Sequence, residues 1–372
     1  MRVDQITMRE IRLALKEPFR ISSGEFRERR ILLLELVSSD GARAWSECVA
    51  GETPNYSPET IDTAWTMIEQ HVAPRALSRA FDHPGEAHAF FERDFRGHQM
   101  AKAAVEMGLW GLAATEADEP LGRFIGGTRA GIEVGISLGI QPSPEALVAK
   151  ALAALAEGYR KIKIKIEPGR DVEWVRAVRE AAGPSAHLMA DANNAYTLDD
   201  AEHLAKFDAL DLLMIEQPLA WDDLVRHAKL QKRLKTAICL DESITSLERA
   251  QDMVALHSGR IVNIKPGRVG GFSSAIAIHD YCQEMAIPVW CGGMFESGVG
   301  RAYNVALASL PNFTLPGDVS PSARYWTADV VSPEWVMDDG IVRVPLDQPG
   351  IGVAVDEAQI DSLTVRTATL RR

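Results

Sequence analysis

The 372-residue sequence has few cysteines, and those it has are scattered. Cys48, Cys239, Cys282 and Cys291 form neither a CxxC pair nor a Cys/His group. A disulfide framework and a structural zinc site are therefore not indicated, and we expect reduced, mostly buried thiols.

Long apolar runs are also lacking. The first 19 residues mix charges into the apolar positions, so no signal peptide is predicted, and no later segment approaches the length of a membrane span. We therefore expect a cytoplasmic protein.

Positive charge is in deficit. The chain carries 40 Lys and Arg against 52 Asp and Glu, a formal net charge of −12. This balance argues against nucleic acid or an anionic membrane as the main partner, since binding phosphates requires an excess of cations on one face. An anionic small-molecule substrate would have to be bound by a local cluster of cations.

The N-terminal part of the sequence has an α+β pattern. Three β-like runs, QITMREIRLAL, RRILLLELVSSDG and ARAWSECVAG, predict a three-stranded meander. Segments 19–26 and 50–59 are rich in Gly, Ser and Pro and predict loops. Apolar residues at helical spacing follow from about residue 57 to residue 117.

After Gly126 the pattern changes to apolar runs that start 24 to 29 residues apart. This is the period of a βα unit with a parallel sheet, and eight such units close a barrel. The runs cover residues 132–140, 161–166, 188–193, 212–218, 237–243, 261–267, 288–293 and 313–318. We predict a capping domain over residues 1–125, an α/β barrel over 126–320, and a segment over 321–372 that returns to the capping domain.

The second run, KIKIKI, carries lysines at alternate positions. On an exposed edge strand Lys161, Lys163 and Lys165 would form a solvated face. A barrel strand instead packs its isoleucines against the outer helices and turns its lysines inward. We therefore expect Lys163 and Lys165 at the C-terminal rim, where barrel active sites lie, while a structural role stays open for Lys161.

Charged residues end the next predicted strands at a nearly constant spacing along the chain. Asp191, Glu216, Asp241 and Lys265 follow one another at intervals of 25, 25 and 24 residues. One such carboxylate is as readily a helix cap, but three at one rim would repel each other without a cation. Oxygen-only ligands predict Mg²⁺, and Asn193 is placed to orient a ligand or the substrate.

A metal beside lysines suits the removal of a proton from carbon next to a carboxylate, because the enediolate formed carries two negative charges. A lysine acts as the base only if its pKa is lowered. We expect like-charge repulsion to do this, with Lys163 acting on Lys165 and Arg268 on Lys265.

Several segments resemble one family across essentially the whole chain. They are KIKIEPG, DANNAY, IEQPLAWDDL, CLDES, NIKPGRVGG, PVWCGGMFESGVGR and LASLPNFTLPGD. They resemble the o-succinylbenzoate synthase/N-succinylamino acid racemase (N-acylamino acid racemase) family, in the muconate lactonizing enzyme-like branch of the enolase superfamily. The resemblance implies a modified TIM barrel of the (β/α)7β type with an α+β capping domain.

The resemblance also implies roles for particular residues. Asp191, Glu216 and Asp241 would bind Mg²⁺, or another divalent cation such as Mn²⁺, and Lys165 and Lys265 would be the acid/base groups. A homo-oligomer is implied as well. The residues expected to bind substrate or tune these groups are Lys163, Asn193, Arg268, Ser137, Gly292, Gly293, Met294, Phe19, Ser22, Ser23, Gly24 and Tyr56.

Other reactions of the superfamily stay open, namely dipeptide epimerisation and muconate cycloisomerisation. The CGGM segment lacks the Asp-x-Asp pair that the resemblance leads us to expect in dipeptide epimerases, so a blocked or absent α-amine is favoured. A non-catalytic barrel is a further alternative, although two lysines beside a metal site are costly to keep without chemistry.

Overall fold

The computed structural model describes residues 1–21 and 24–372. Its two larger sheets are a four-stranded antiparallel sheet and a seven-stranded parallel sheet. The predicted fold class, an α/β barrel with an α+β capping unit, is confirmed.

The antiparallel sheet joins the first three strands to the last one, in the order β15–β1–β2–β3. The strands are β1 (Val3–Ile21), β2 (Gly24–Ser38), β3 (Arg43–Cys48) and β15 (Thr364–Arg371). The C-terminal strand β15 pairs antiparallel with β1, with Gln5 opposite Arg371.

The loop expected at residues 19–26 is wrong for most of that segment. After an irregularity between Ala14 and Phe19, the β1–β2 ladder resumes, with Phe19 opposite Phe26 and Ile21 opposite Gly24. Gly and Ser weaken a strand but do not prevent it when the partner strand satisfies the backbone. Ser22 and Ser23 lie outside the described residues.

Helices cover one face of this sheet. They are α1 (Ile61–Met67), α2 (Ala73–Ser78), α3 (Glu86–Glu92), α4 (Gln99–Glu116) and α5 (Leu121–Phe124), with a π-helical segment at Ile68–Val72. A capping box at Thr60 and Thr63 starts α1. Most of α4 is buried, and its Glu106 accepts hydrogen bonds from the backbone N–H groups of Phe272 (2.7 Å) and Ser273 (3.0 Å) in the barrel.

The parallel sheet follows the chain from β5 to β11 in order. Its strands are β5 (Gly135–Leu138), β6 (Lys161–Lys165), β7 (Leu188–Asp191), β8 (Ile215–Glu216), β9 (Ile238–Leu240), β10 (Ile261–Ile264) and β11 (Val289–Cys291). The alternating helices are α6 (Pro144–Ala156), α7 (Val172–Ala182), α8 (Ala201–Leu204), α9 (Leu224–Gln231), α10 (Leu247–Leu256), α11 (Phe272–Glu284) and α12 (Gly298–Ala308).

Two predicted barrel strands differ from the expectation. The first run splits into β4 (Gly131–Glu133), which pairs antiparallel with β13 (Ile341–Arg343), and the barrel strand β5. The eighth run, 313–318, is described throughout but forms only isolated bridges, from Phe313 to Val289 and from Gly317 to Val134. A Pro within it removes a backbone donor, which is unfavourable inside a ladder.

The tail adds β12 (Val331–Ser332), β14 (Ala354–Val355) and α13 (Glu357–Leu363) before β15. In the described part of the chain, no helix is both long and apolar enough to cross a membrane.

A buried carboxylate joins the capping sheet to the barrel. Glu47 in β3 accepts hydrogen bonds from the Ser297 hydroxyl (2.6 Å) and from the backbone N–H groups of Ser297 (3.0 Å) and Gly300 (3.1 Å) at the start of α12. A carboxylate there satisfies free helix donors and complements the helix dipole. Burial nevertheless raises the pKa of Glu47 to about 8.

This pKa predicts a pH effect on stability. The folded state holds the Glu47 proton more tightly than the unfolded chain, where the pKa is about 4.3. Stability is therefore lost as pH rises from about 4.3 to about 8. Glu47→Gln should remove that part of the loss, so its melting temperature should fall less between pH 5 and pH 8 than that of wild type. Parallel melting curves across that range would contradict the prediction.

Candidate active site

The three lysines of β6 lie inside the barrel, on the side opposite the isoleucines. Ile162 and Ile164 are fully buried in the main hydrophobic core. Lys161 is also fully buried, and its Nζ lies 3.5 Å from the centre of the Trp290 ring. Lys163 and Lys165 instead line a cavity at the C-terminal rim. Lys161 therefore lies below this cavity, while the other two reach it.

The carboxylates at the ends of the next two strands contact these lysines. Lys165 Nζ lies 2.6 Å from Asp191 Oδ2. Lys163 Nζ lies 3.3 Å from the same oxygen and 3.2 Å from Glu216 Oε2. The side chain of Asn263 donates to Glu216 Oε1 at 2.7 Å. The predicted strand-end residues are therefore together at one rim.

Asp241 follows β9 and is held from the other side. Lys265 Nζ lies 2.8 Å from Asp241 Oδ2, and the Arg268 guanidinium contacts Oδ1. The Tyr56 hydroxyl donates to Asp241 Oδ1 at 2.9 Å and accepts from Lys265 and Arg268, each at 3.1 Å. This second group joins a residue of the capping unit to the barrel.

The carboxylates differ in how well their charge is compensated. Burial alone would raise the pKa of Asp191, but the charges of Lys165 and Lys163 hold it well below its usual range. For Glu216, burial and the neighbouring Asp191 charge raise the pKa to about 8, despite Lys163. Of the three carboxylates, Glu216 is therefore the one whose charged form the neighbouring cations stabilise least.

The donor chemistry of this cluster fits a hard divalent cation. The three carboxylates supply only oxygen, and the raised pKa of Glu216 marks a site where a further positive charge is favourable. Each of the three carboxylates contacts a lysine in this structure. Among the described residues, no three His, Cys, Asp or Glu side chains are close enough together to bind one metal ion as they stand.

The lowered pKa expected for Lys265 is wrong for this structure. Burial and the Arg268 charge lower the pKa of Lys265, but the contact with Asp241 outweighs them, so the pKa is raised above its usual value. The sequence pattern identified Lys265, Arg268 and Asp241, but not the direct contact between Lys265 and Asp241.

Asn193, predicted to orient a ligand or the substrate, lies beside Lys165. It adopts a positive φ of 41°, and its side-chain oxygen accepts from Lys165 Nζ at 2.6 Å. Its amide donates to Glu242 at 3.4 Å. Burial and the neighbouring Asp241 charge raise the pKa of Glu242 to about 7. Glu242 was not predicted, although it directly follows Asp241 in the sequence.

The cavity itself encloses about 880 Å³, including its open mouth. Of the predicted substrate-binding residues, its wall contains Phe19, Tyr56, Ser137, Lys163, Asn193, Gly293 and Met294. The Ser137 hydroxyl is buried and has no hydrogen-bond partner in the part of the chain that the structure describes.

Three of the predicted residues that the structure describes are not in this wall. Arg268 lies behind it, at Asp241. Gly292 also lies behind it, and a Cβ at that position would be 2.6 Å from Lys265 Cε, so glycine makes room for the lysine stem. Gly24 ends the β1–β2 hairpin without reaching the cavity, and Ser22 and Ser23 are outside the described residues.

The sequence interpretation missed several wall residues. Asp318 Oδ2 lies 2.5 Å from Lys163 Nζ. It ends the eighth apolar run, so the spacing that identified Asp241 would have identified it as well. Phe26, Phe295 and Tyr325 form the aromatic part of the wall, with Phe295 ring centres 6.2 Å from Phe26 and 5.4 Å from Tyr325. No local pattern indicated these contacts.

Comparison with known proteins decides the family. Residues 146–359 match the model described as enolase C-terminal domain-like, and residues 4–126 match that of the mandelate racemase/muconate lactonizing enzyme N-terminal domain. An o-succinylbenzoate synthase from Geobacillus kaustophilus is 48% identical over 97% of this chain and 96% of its own. An N-succinylamino acid racemase from Thermus thermophilus is 45% identical over 98% of both.

The chain belongs to the enolase superfamily, in the o-succinylbenzoate synthase/N-succinylamino acid racemase family.

A solved structure agrees with this placement. The crystal structure of an enolase superfamily member from Listeria innocua covers 100% of this chain and 99% of its own, with a TM-score of 0.96 and 39% identity. The region matched to the enolase C-terminal domain-like model contains Lys165, Lys265 and the three carboxylates, and the N-terminal match contains Phe19 and Tyr56.

Proposed function

We propose that the protein removes a proton from the carbon next to a substrate carboxylate, as an o-succinylbenzoate synthase, an N-succinylamino acid racemase, or both. One observation carries this proposal most directly. Lys165 and Lys265 both line the cavity, and they come from strands four positions apart in the parallel sheet. In a barrel wall, that separation places two amines on different sides of one substrate carbon. The named relatives at 48% and 45% identity support the same reactions.

We assign Asp191, Glu216 and Asp241 as ligands of Mg²⁺, on the strength of their oxygen-only donors and the raised pKa of Glu216, which a bound cation would lower. Bound there, Mg²⁺ would stabilise the negative charge that develops on the substrate carboxylate.

In the dehydration, neutral Lys165 takes the α-proton onto Nζ. The carbon–oxygen bond to the hydroxyl group then breaks on the same face, and the Lys165 ammonium returns the proton to the departing hydroxide, which leaves as water. Lys265 keeps its charge and stabilises the intermediate electrostatically. The net change is the loss of one water molecule.

In the racemisation, neutral Lys165 takes the proton from the S enantiomer and the Lys265 ammonium donates one to the opposite face. The R enantiomer reacts in the reverse sense. Both reactions need an enclosed site, and the aromatic wall around Phe19 and Phe295 (ring centres 5.0 Å apart) limits water at the reacting carbon.

The test is proton NMR of the purified protein with Mg²⁺ in D₂O. N-succinyl-L-amino acids and the succinyl-hydroxycyclohexadiene carboxylate are supplied in separate tubes. Deuterium at the α-carbon of both enantiomers establishes the racemase, and dehydration alone establishes a dedicated synthase. Turnover of an unblocked dipeptide or of muconate in preference to both would overturn the proposal and place the protein elsewhere in the superfamily.

A further inference from the structure

Arg29 on β2 is a buried cation that the proposed chemistry does not use. Its side chain lines the same cavity as the catalytic lysines, and the residue is 8% exposed. One nitrogen, Nη2, donates to the Val49 carbonyl at 2.6 Å. Its Nε is buried and has no hydrogen-bond acceptor within residues 1–21 and 24–372. A guanidinium stays charged at any working pH, so this is a buried charge with an unused donor.

The acids nearest to Arg29 do not neutralise it by contact. Glu47 and Glu296 act on it only through space, and no ion pair of Arg29 is found in the described part of the chain. Glu47 binds the start of α12, and Glu296 Oε1 accepts from the backbone N–H of Met294 at 2.9 Å. Glu28, also in the wall, pairs with Arg12 at 2.8 Å. An unpaired buried charge is expensive, so a structural role alone explains Arg29 poorly.

The two sides of the cavity wall differ in the side chains that they carry. The strand ends carry Lys163, Lys165 and Lys265, whereas the capping side carries Arg29 as its cation, among mainly apolar and aromatic side chains with Glu28 and Asn55. A ligand that suits both regions has one carboxylate at the strand ends, a short apolar chain and a second anionic group at the capping side. The wall therefore fits a dicarboxylate better than a monocarboxylate.

We propose that Arg29 binds the terminal carboxylate of the substrate's succinyl group and so sets the preference for succinylated substrates. This inference rests on the proposed function and adds to it the residue that recognises the acyl group of the substrate. The N-succinylamino acid and the cyclohexadiene substrate share the chain –CO–CH₂–CH₂–COO⁻. One guanidinium thus serves both reactions, although their reacting rings and side chains differ. Guanidinium is suited to this task because its planar donors match a carboxylate.

The test compares Arg29→Met and Arg29→Lys with wild type on N-succinyl- and N-acetyl-methionine, which differ in that terminal carboxylate. We expect Arg29→Met to lower kcat/KM for the succinylated substrate by about 10- to 100-fold, mainly through KM, and to change the acetylated one by less than about 3-fold. Arg29→Lys keeps the charge but not the planar donors, so it should lose less of the preference.

Arg30 provides the matched control. It is the next residue on β2, and it pairs with Glu10 at 2.7 Å and Asp62 at 2.8 Å instead of lining the cavity. Arg30→Met should leave the ratio of the two kcat/KM values unchanged.

Equal losses on both substrates, or no loss on the succinylated one, would overturn the role of Arg29. So would a wild-type enzyme without preference between the two substrates. If Arg29→Met fails to fold, the Arg29→Lys comparison decides the question by the same ratio. Failure of the proposed function looks different, because wild type would then exchange the α-proton of neither substrate.

Discussion

Lys165→Met should lose exchange of the α-proton of the S enantiomer in D₂O by roughly 10³-fold, since general bases contribute about 10²- to 10⁴-fold. The R enantiomer should still exchange its proton through Lys265, but without inversion. Lys265→Met should show the reverse pattern. The reason is geometric: the two amines stand on strands four positions apart in the sheet and reach the cavity separately. The measurement is the rate of deuterium incorporation into each pure enantiomer, followed by proton NMR and chiral chromatography.

The control for both variants is Lys150→Met. Lys150 is an exposed lysine of α6 that pairs with Glu17 at 2.8 Å, so the same change there removes a charge far from the cavity. It should leave the exchange rates of both enantiomers unchanged. Loss of exchange from both enantiomers in either single variant would show that the lysines act as one unit, and the assignment of one lysine to each enantiomer would fail.

Glu216→Gln should abolish the response of the protein to Mg²⁺. For wild type, Mg²⁺ at about 100 times its Kd should add about 2.7 kcal/mol to the free energy of unfolding and raise the melting temperature by several degrees. Chelation with EDTA should reverse this rise and remove α-proton exchange. In Glu216→Gln both effects should be absent, because the amide cannot supply the carboxylate that the cation would bind.

Glu47→Gln is the matched control for this experiment. Glu47 and Glu216 are both buried carboxylates whose pKa is raised to about 8, but Glu47 binds the start of α12. Its Gln variant should therefore respond to Mg²⁺ as wild type does. A Glu216→Gln protein that is still stabilised by Mg²⁺ would rule out Glu216 as a ligand.

The sequence predicted the centre of the site well for a physical reason. The period of a βα unit is local, so residues that end successive strands, such as Asp191 and Glu216, reveal their common rim through spacing alone. Alternation within β6 likewise placed Lys163 and Lys165 inside the barrel. The assignment of these residues to metal binding and proton transfer stays a prediction until the variants are measured.

The wall of the cavity was less predictable because it forms between distant segments. Arg29 and Phe26 come from a strand whose inner face depends on how the capping sheet packs against the barrel. The β1–β2 pairing that places Phe19 opposite Phe26 was predicted as a loop, because the Gly and Ser content of the segment does not reveal its partner strand. The Asp241 contact that raises the pKa of Lys265 also depends on three-dimensional distance, which spacing along the chain does not supply.

The pairing of β15 with β1 affects the order in which the chain can fold. Strand β1 is synthesised before the barrel, but the strand that covers its outer edge is synthesised after the barrel, and Gln5 meets Arg371 across 366 positions. Until then β1 presents unpaired backbone groups, which is the condition that favours edge-to-edge aggregation. The capping sheet therefore closes last, and nascent chains stalled within the barrel should be the species most dependent on chaperones.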